Sequence, residues 1–492
     1  MNEIVRRLYA VEQVRELDRR AIAAGIPGYT LMQRAALACW DEIARRWPLA
    51  GRVDVLCGSG NNGGDGYEIA RLAKRAFCAV QVWQVAGAPK SGDALTAYQA
   101  WLADGGTVAD CTSADLASSQ VIVDAIYGTG LSRDIDGPAL KAIQMIREAR
   151  AKGACVLSAD VPSGLDAQSG AVRGASVSAD VTVTFIGNKV GLYTGIGCDH
   201  AGEVVLADLA VPPALHVDLM PLASLMNAES LSEFLPKRLP NAHKGRHGHV
   251  LLIGGNHGTP GAILMAARAA LRAGAGLVSV ATRAEHAVAL SMAQPEIMSH
   301  AVERKAQLAP LLERANVIAI GPGLGQDAWA QELLGCVLQA KQAQVWDADA
   351  LNLLAAEPVC SDRWILTPHP GEAARLLGVS NAEIQQDRVR SARQLQARYG
   401  GVCVLKGAGT VVQGAATQIC PYGNPGMAVG GTGDVLTGII AGFAAQGLSL
   451  ETAAAQGVLA HALAGDAAAG LGGERGLLPE DLIAQLRSTV NP

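Results

Sequence analysis

Short apolar runs alternate with amphipathic stretches of helical length, and this rhythm constrains the fold more than any other feature of the sequence. Near-continuous apolar strands that alternate with helices are typical of a parallel sheet covered on both faces. The first part of the chain therefore predicts an α/β domain, with a helix over 65–77 and helical structure across roughly the first 50 residues. Its predicted strands are 53–57, 80–85, 121–125, 155–159 and 181–186.

A proline-rich interruption between 211 and 240 separates this rhythm from a second one. We place a domain boundary near 218–230, between domains over 1–218 and 228–492. The second domain is predicted to have strands at 249–253, 277–281, 317–320, 345–346, 364–366 and 402–405. Its predicted helices are 262–272, 433–445, 450–469 and 479–486. The fold class is thus α/β, with two three-layer αβα domains.

Charge and hydropathy exclude several classes of protein. The net charge is −5 and no long basic run occurs, which argues against a nucleic-acid-binding protein. No stretch reaches about 18 consecutive apolar residues, so no membrane span is expected. The acidic residues Glu3, Glu12 and Glu16 make the N-terminus unlike a signal or transit peptide, and a cytoplasmic location is expected.

Cysteine and histidine spacing gives no sign of a metal centre. The ten cysteines are scattered without a CxxC pair and are interpreted as buried, reduced thiols. His243, His247, His249 and His257 lie close together in the sequence, but their spacing matches no usual zinc site.

A glycine-rich segment, GSGNNGGDG over 58–66, follows a predicted strand and precedes a predicted helix. It contains GxGxxG, and the free N–H groups at a helix N-terminus bind phosphates. The next strand ends without the acidic residue that a dinucleotide-binding dehydrogenase uses for the ribose, so that class is rejected. The polar residues Asn61, Asn62 and Asp65 favour a phosphate-binding loop over a plain tight turn.

Carboxylates lie at the ends of two later strands, Asp124 in VIVDAIYGTG and Asp160 in CVLSADVPSGLD. The carboxyl ends of parallel strands face the ligand crevice, so these residues and Asn62 are expected at one edge. Such a set of oxygen atoms suits a hard cation together with a general acid or base.

The motifs NNGGDG, DAIYGTGL and SADVPSGLD, in this order, resemble NAD(P)H-hydrate epimerases, and so does the opening YAVEQVRELDRRAI. The resemblance implies a Rossmann-like domain that interconverts the R and S hydrates of NADH and NADPH, with Asp160 as acid and base. It implies a potassium ion held by Asn62, Asp124 and Ser163. The residues implied at the hydrated nucleotide are Asn61, Asn62, Gly63, Gly64, Asp65, Gly128, Thr129, Gly130, Leu131, Ser132, Arg133, Asp134 and Asp160.

The second half contains AVGGTGDVLTG over 428–438, where glycines lead into a predicted helix with Asp434 in its first turn. The free N–H groups form an anion hole for a transferring phosphoryl group, and the neighbouring carboxylate can take a proton from a hydroxyl. This pattern is similar to the ribokinase-like fold.

Further motifs place polar groups at strand ends: GPGLG, DADALN, TPHPGEAARLL and LKGAGTVV. Together with the glycine-rich turns around 249–253, they resemble ADP-dependent NAD(P)H-hydrate dehydratases over nearly the whole second half. The resemblance implies that Asp434 activates the ring hydroxyl for phosphorylation, after which phosphate leaves. It implies Ala262, Gly325, His369 and Asp434 at the hydrate, and Lys406, Gly407, Ala408, Gly409, Thr410 and Gly433 at the adenine nucleotide. Magnesium is expected with the ADP.

The leading hypothesis is therefore one bifunctional repair enzyme that epimerises NAD(P)H hydrates and dehydrates the S form with ADP, giving AMP and phosphate. Its partners are expected to be small molecules, and a homo-oligomer is expected. One alternative is a ribokinase-like alcohol kinase with an accessory nucleotide-binding domain, which would give a stable phosphorylated product. Another is a non-catalytic nucleotide sensor, against which Asp160 and Asp434 argue.

Overall fold

The computed structural model describes residues 3–131 and 133–491, and the chain divides into two compact units, Met1–Ser224 and Leu225–Pro492. This division falls in the interval left between the two predicted domains. No helix of the described residues combines the length and apolar character needed to cross a bilayer.

The N-terminal unit is built on a parallel sheet in which the described residues form seven strands, with a topological switch point between Arg52–Cys57 and Val121–Ala125. In sheet order, its strands are Val108–Asp110, Ala79–Gln84, Arg52–Cys57, Val121–Ala125, Cys155–Ala159, Val181–Phe185 and Glu203–Ala207. The short strand Arg7–Tyr9 pairs with Asn188–Lys189 in parallel and with Ala223–Leu225 antiparallel. The helices are Glu3–Arg6, Val11–Ala23, Gly28–Arg46, Asn61–Arg75, Gly92–Ala103, Gly137–Ala151 and Gly197–Ala201.

Helices cover both faces of this sheet because its strands are apolar on both faces. Val55 packs in the core formed with Ile43 and Tyr67, whereas the adjacent Leu56 packs in the core formed with Ile143. The alternation follows from the two-residue period of a strand.

The C-terminal unit has a second mainly parallel sheet. In order, its strands are Met298–Ala301, Leu277–Thr282, His249–Ile253, Val317–Ile320, Ala343–Trp346, Trp364–Leu366, Val402–Leu405, Val411–Gln413 and Thr417–Ile419, of which the last two pair antiparallel. The helices are Ser230–Phe234, Pro260–Arg272, Ala284–Ala293, Lys305–Arg314, Ala328–Gln339, Ala348–Ala356, Pro370–Leu377, Asn381–Gln386, Arg388–Tyr399, Thr432–Ala445, Leu450–Gly472 and Pro479–Thr489.

Two helices of this unit, Pro260–Arg272 and Thr432–Ala445, pack backbone against backbone. A Cβ at Gly438 would lie 2.0 Å from the carbonyl oxygen of Ala266, and one at Gly442 would lie 3.0 Å from that of Ala270. The glycines therefore allow a close approach that no other residue permits.

The predicted strands occur, with ends shifted by one or two residues. The prediction of a helix over 65–77 was wrong at its start, because the helix is Asn61–Arg75 and takes in most of the glycine-rich loop. The ten cysteines are free thiols, of which Cys360 is exposed.

Candidate functional site

The first candidate site lies at the switch point of the N-terminal sheet. Gly60 has an extended backbone and precedes the helix, so Asn61 and Asn62 form its first turn. A Cβ at Gly63 would lie 1.9 Å from the carbonyl oxygen of Gly58, so this turn folds back tightly on the loop.

Asn62 and Asp160 converge on the backbone of Gly128. A Cβ at Gly128 would lie 2.9 Å from Oδ2 of Asp160 and 3.3 Å from Oδ1 of Asn62. The N–H of Thr129 donates to Oδ2 of Asp160 at 3.3 Å. Both amide atoms of Asn62 are buried and have no hydrogen-bond partner among the described residues. An orphaned buried amide costs free energy, so its position indicates a ligand contact.

Asp160 is held by a buried cation. Nζ of Lys189 lies 2.6 Å from Oδ1 of Asp160, and it also donates to Oγ1 of Thr184 and to the carbonyl oxygen of Phe185, both at 2.9 Å. The Lys189 side chain is fully buried, and Asp160 has a left-handed φ of 67°. A non-glycine residue in that region stores strain of the kind found at functional sites.

Asp124 and Ser163 form a buried polar pair beside this point. Oδ1 of Asp124 accepts from Oγ of Ser163 at 2.5 Å, and Oδ2 accepts from the N–H of Ser163 and from Oγ of Ser158, both at 2.8 Å. Burial raises the pKa of Asp124, although these hydrogen bonds oppose the shift. These partners are neutral, and no cation pairs with Asp124 in the part of the chain that the structure describes.

Further carboxyl groups surround Asp160. Burial, followed by repulsion from Asp160, raises the pKa of Asp65 well above its ordinary value. Asp18 has its pKa raised by burial and then by Asp93 and Asp160. The raised pKa values mean that these carboxyl groups resist ionisation beside Asp160 and hold their protons to higher pH than ordinary carboxyl groups.

The remaining residues predicted for this site differ in how exposed they are. Gly130, Arg133 and Asp134 are exposed, and Leu131 is half-buried. These residues and Tyr127 line a small cavity of about 80 Å³. Ser132 lies outside the described residues.

The second candidate site lies at the strand ends of the C-terminal unit. Nζ of Lys406 lies 2.6 Å from Oδ1 of Asp347, whose Oδ2 accepts from Oγ1 of Thr437 at 2.7 Å. A Cβ at Gly433 would lie 3.4 Å from Nζ of Lys406, so the first turn of the helix Thr432–Ala445 closes over this pair.

The electrostatics of this site favour proton transfer near neutrality. Burial, followed by repulsion from Asp347, raises the pKa of Asp434 to about 7, while Lys406 opposes the shift. Burial likewise raises the pKa of Glu372 to about 7. Asp347 and Glu372 raise the pKa of Lys406 despite its burial. A general base works best with a pKa near the operating pH.

The loop Lys406–Thr410 turns back over an arginine. Arg388 is fully buried and donates through Nη2 to the carbonyl oxygens of Leu405 and Lys406 at 3.0 and 3.1 Å. Gly407 and Gly409 have positive φ values of 137° and 59°. Ala408 is exposed and Thr410 is half-buried.

A neighbouring loop is closed by Asn256. Its N–H donates to the carbonyl oxygen of Gly323 at 2.7 Å, and its Nδ2 donates to that of Leu324 at 3.0 Å. Asn256 also lies against Gly325, whose N–H donates to Oδ2 of Asp349 at 2.9 Å. Ala262 lies in the first turn of the helix Pro260–Arg272 that follows.

His369 begins the helix Pro370–Leu377, and Nδ1 accepts from the N–H of Gly371 at 3.0 Å. Its side chain is half exposed, with Nε2 3.4 Å from Oε1 of Glu372. No group of three or more His, Cys, Asp or Glu residues that could hold a metal occurs in the part of the chain that the structure describes.

Several residues at these sites were not singled out from the sequence. Lys189, Glu372, Arg388 and Thr437 are buried partners of predicted residues. The TPHPGE motif contained Glu372, but nothing in the sequence indicates that Lys189 and Asp160 pair.

Two α/β units, each with polar side chains at the carboxyl ends of its strands, define a two-domain enzyme of nucleotide chemistry. Family models match both units: residues 28–191 match YjeF-related protein N-terminus, and residues 250–488 match NAD(P)H-hydrate dehydratase.

Curated relatives match the whole chain. The bifunctional NAD(P)H-hydrate repair enzyme of Coxiella burnetii is 47% identical and covers 99% of each chain. That of Escherichia coli is 44% identical over 99% of this chain and 94% of its own. The chain therefore belongs to the family of bifunctional NAD(P)H-hydrate repair enzymes.

Solved structures match the C-terminal half. A ribokinase-like superfamily protein from Enterococcus faecalis is 34% identical, covers 54% of this chain and 95% of its own, and has a TM-score of 0.51. The ADP/ATP-dependent NAD(P)H-hydrate dehydratase of Bacillus subtilis, co-crystallised with ATP/Mg²⁺, is 31% identical over 55% of this chain and 98% of its own, with a TM-score of 0.50. The predicted fold class, family and bifunctional enzyme class are confirmed.

Proposed function

We propose that the N-terminal unit epimerises the hydrates of NADH and NADPH at the point where Asn62, Gly128 and Asp160 meet. The observation that carries this assignment is the convergence of Asn62 and Asp160 on Gly128, beside a helix N-terminus suited to phosphate. The segments 61–65 and 128–134 hold the nucleotide.

Asp160 moves the proton in this reaction. A proton passes from Asp160 to the ring hydroxyl, water leaves as the C–O bond breaks, and the lone pair of the ring nitrogen stabilises the cation. Water then adds to the other face of the ring, and Asp160 takes back a proton.

Asn62, Asp124 and Ser163 are the residues that would hold potassium. The amide of Asn62 has no hydrogen-bond partner among the described residues and the Asp124 carboxyl group has no ion pair among them, so their oxygen atoms fit a weakly hydrated cation. Bound there, the ion supplies a fixed positive charge beside the substrate.

The C-terminal unit dehydrates the S hydrate with ADP, and the position of Asp434 with a pKa near 7 supports this assignment. Asp434 takes the proton of the ring hydroxyl as its oxygen attacks the β-phosphorus of ADP, and AMP leaves. The phosphate ester then expels phosphate, the neighbouring ring carbon loses a proton, and the double bond is restored. Ala262, Gly325 and His369 surround the hydrate.

Lys406, Gly407, Ala408, Gly409, Thr410 and Gly433 hold the adenine nucleotide. A magnesium ion bound with the phosphates of the nucleotide would neutralise part of their negative charge. The Bacillus subtilis dehydratase, which was co-crystallised with ATP/Mg²⁺, supports this assignment. A comparison of ADP with ATP as co-substrate would establish the preference.

The test uses the full chain, a mixture of R and S hydrates, potassium, magnesium and ADP, with recovery of NADH absorbance as the readout. Asp434→Ala is expected to stop all recovery, and Asp160→Ala to slow only the R form. Full epimerase activity in Asp160→Asn would contradict the role of Asp160. A stable phosphorylated product with no recovered NADH would favour the kinase alternative.

We also retain a homo-oligomer as a prediction, which light scattering of the purified chain would test.

A further inference from the structure

A large cavity lies in the C-terminal unit, away from the residues assigned to dehydration. It has a volume of about 880 Å³, within the range of small-molecule sites. Its walls are the segment 232–247 and the C-terminal ends of three helices, marked by Arg272, Gln446 and Arg487.

The cavity and Asp434 lie at opposite ends of one helix. Asp434 is in the first turn of Thr432–Ala445, and Gln446 follows its last residue. At about 1.5 Å per residue, twelve residues separate them by about 18 Å. A ligand in the cavity therefore does not contact the proposed catalytic carboxylate.

The cavity is strongly cationic. Lys237, Arg238, Arg246, Arg272 and Arg487 line it, and no Asp or Glu is among its lining residues. Within the described residues none of the five forms an ion pair with a carboxylate. The C-terminal ends of the three helices contribute about half a negative charge each, so the five cations leave a net positive charge that can attract an anion.

Arg238 is the cation that the protein holds in place. Its Nη2 donates to the carbonyl oxygen of Gly274 at 2.6 Å and to Oε1 of Gln446 at 3.1 Å, both neutral acceptors. The pKa of His247, also in the lining, is lowered by burial and then by Arg238 and Arg246. The field at this histidine is thus positive.

Apolar side chains complete the cavity and narrow the class of ligand. Leu235, Leu271 and Leu448 line it, together with Phe234 and Leu239, which are 43% and 57% exposed. An exposed aromatic ring beside several guanidinium groups offers a stacking surface next to phosphate donors. An inorganic anion would leave this apolar wall uncovered.

We propose that this cavity is a second, non-catalytic binding site for a nucleotide, whose phosphates contact the arginines and whose base packs on Phe234 and the leucines. This site does not depend on the assignments made for epimerisation or dehydration.

Photolabelling of the full chain with 8-azidoadenosine 5′-diphosphate, followed by mass-spectrometric mapping of the labelled peptides, tests the proposal. Label is expected in peptides from 232–247 or 487–491 and should fall when unlabelled ADP is added. Label in peptides containing 406–410 or 433 reports separately on the proposed catalytic site, so the two proposals can fail independently.

Charge reversal in Arg272→Glu/Arg487→Glu is expected to lower cavity labelling at least about tenfold, since charged hydrogen bonds to phosphate are lost. Labelling at 406–410 should stay unchanged. Arg390→Glu, which reverses an exposed arginine outside the cavity, is the matched control and should leave both labels unchanged. Arg272→Gln/Arg487→Gln serves if charge reversal prevents folding.

Two results would overturn the proposal: cavity peptides that stay unlabelled at millimolar probe, or cavity labelling that both double variants leave unaltered. An acidic peptide or a second copy of the chain as the true occupant would give the first result, and a second copy would also show as a change in oligomeric state.

Discussion

At the residue scale, the buried pair of Lys189 and Asp160 gives a test of the first site. Lys189→Met leaves the Asp160 carboxylate without its cation, so we expect the free energy of unfolding to fall by about 3 kcal/mol. Epimerase kcat should fall strongly while dehydratase kcat is unchanged. Chemical denaturation and separate assays on R and S hydrates measure these effects.

The double variant Asp160→Asn/Lys189→Met removes the whole pair and should recover part of the lost stability without recovering epimerase activity. Lys152→Met, at an exposed lysine, is the matched control and should keep the unfolding free energy and the epimerase kcat of the parent protein. A Lys189→Met enzyme that keeps full epimerase activity would show that the pair is only structural.

The pH dependence of the dehydratase follows from Asp434. Its pKa is raised to about 7, so the carboxyl is protonated and inactive as a base at lower pH. We expect kcat/KM for dehydration to rise with pH and to reach half of its maximum near pH 7. Lys406 lowers the pKa of Asp434, so Lys406→Met should shift the rising limb of the pH profile to higher pH.

The variant Glu372→Gln distinguishes the titration of Asp434 from that of the neighbouring Glu372, whose pKa is also raised to about 7. Because Glu372 raises the pKa of Asp434 by repulsion, its neutralisation should move the limb to lower pH. Disappearance of the limb in Glu372→Gln would instead identify Glu372 as the titrating group.

At the scale of the elements, the packing of the helices Pro260–Arg272 and Thr432–Ala445 depends on Gly438. In Gly438→Ala the new Cβ would lie 2.0 Å from the carbonyl oxygen of Ala266, so the helices must separate. We expect a loss of about 3 kcal/mol in unfolding free energy. Asp434 is one turn away, so dehydratase activity should fall as well.

Gly335→Ala provides the comparison, since Gly335 lies in the helix Ala328–Gln339 with open space around it. There the added methyl group should stabilise the protein by about 0.5–1 kcal/mol. Equal melting temperatures for the two variants would show that the helices adjust to the methyl group without cost.

The inner parallel strands of both sheets could be predicted from the sequence because apolar runs are local, whereas edge strands such as Val108–Asp110 and Met298–Ala301 were not predicted. The start of the helix Asn61–Arg75 was missed because Gly63 and Gly64 are poor helix formers and read as a loop. Their real role, close approach to Gly58 and Met32, exists only in the folded chain.

For the two candidate sites, the sequence predicts the residues that lie in motifs at strand ends. Asp124, Asp160 and Asp434 occur in glycine-rich segments with characteristic spacing. Lys189 lies 29 residues from Asp160 in an apolar context, and only the packed structure brings the two charges together. The orphaned amide of Asn62 likewise depends on burial, which the sequence does not encode locally.

At the scale of the whole molecule, two single-site variants should complement each other. Asp160→Ala keeps the dehydratase site and Asp434→Ala keeps the epimerase site. If the S hydrate is released to solution between reactions, an equimolar mixture should recover NADH from both epimers. Recovery of the R form should rise with the concentration of either variant. No gain over Asp160→Ala alone would mean that the intermediate must stay on one chain.

The presence of two separate cores on one polypeptide has a consequence for the relative amounts of the two activities in the cell. Every translation event yields one unit of each kind, so their molar ratio is fixed at synthesis and is independent of promoter strength. The R and S hydrates are therefore always exposed to equal numbers of the N-terminal and C-terminal units. The rate of epimerisation relative to dehydration can then change only through the turnover number of each site.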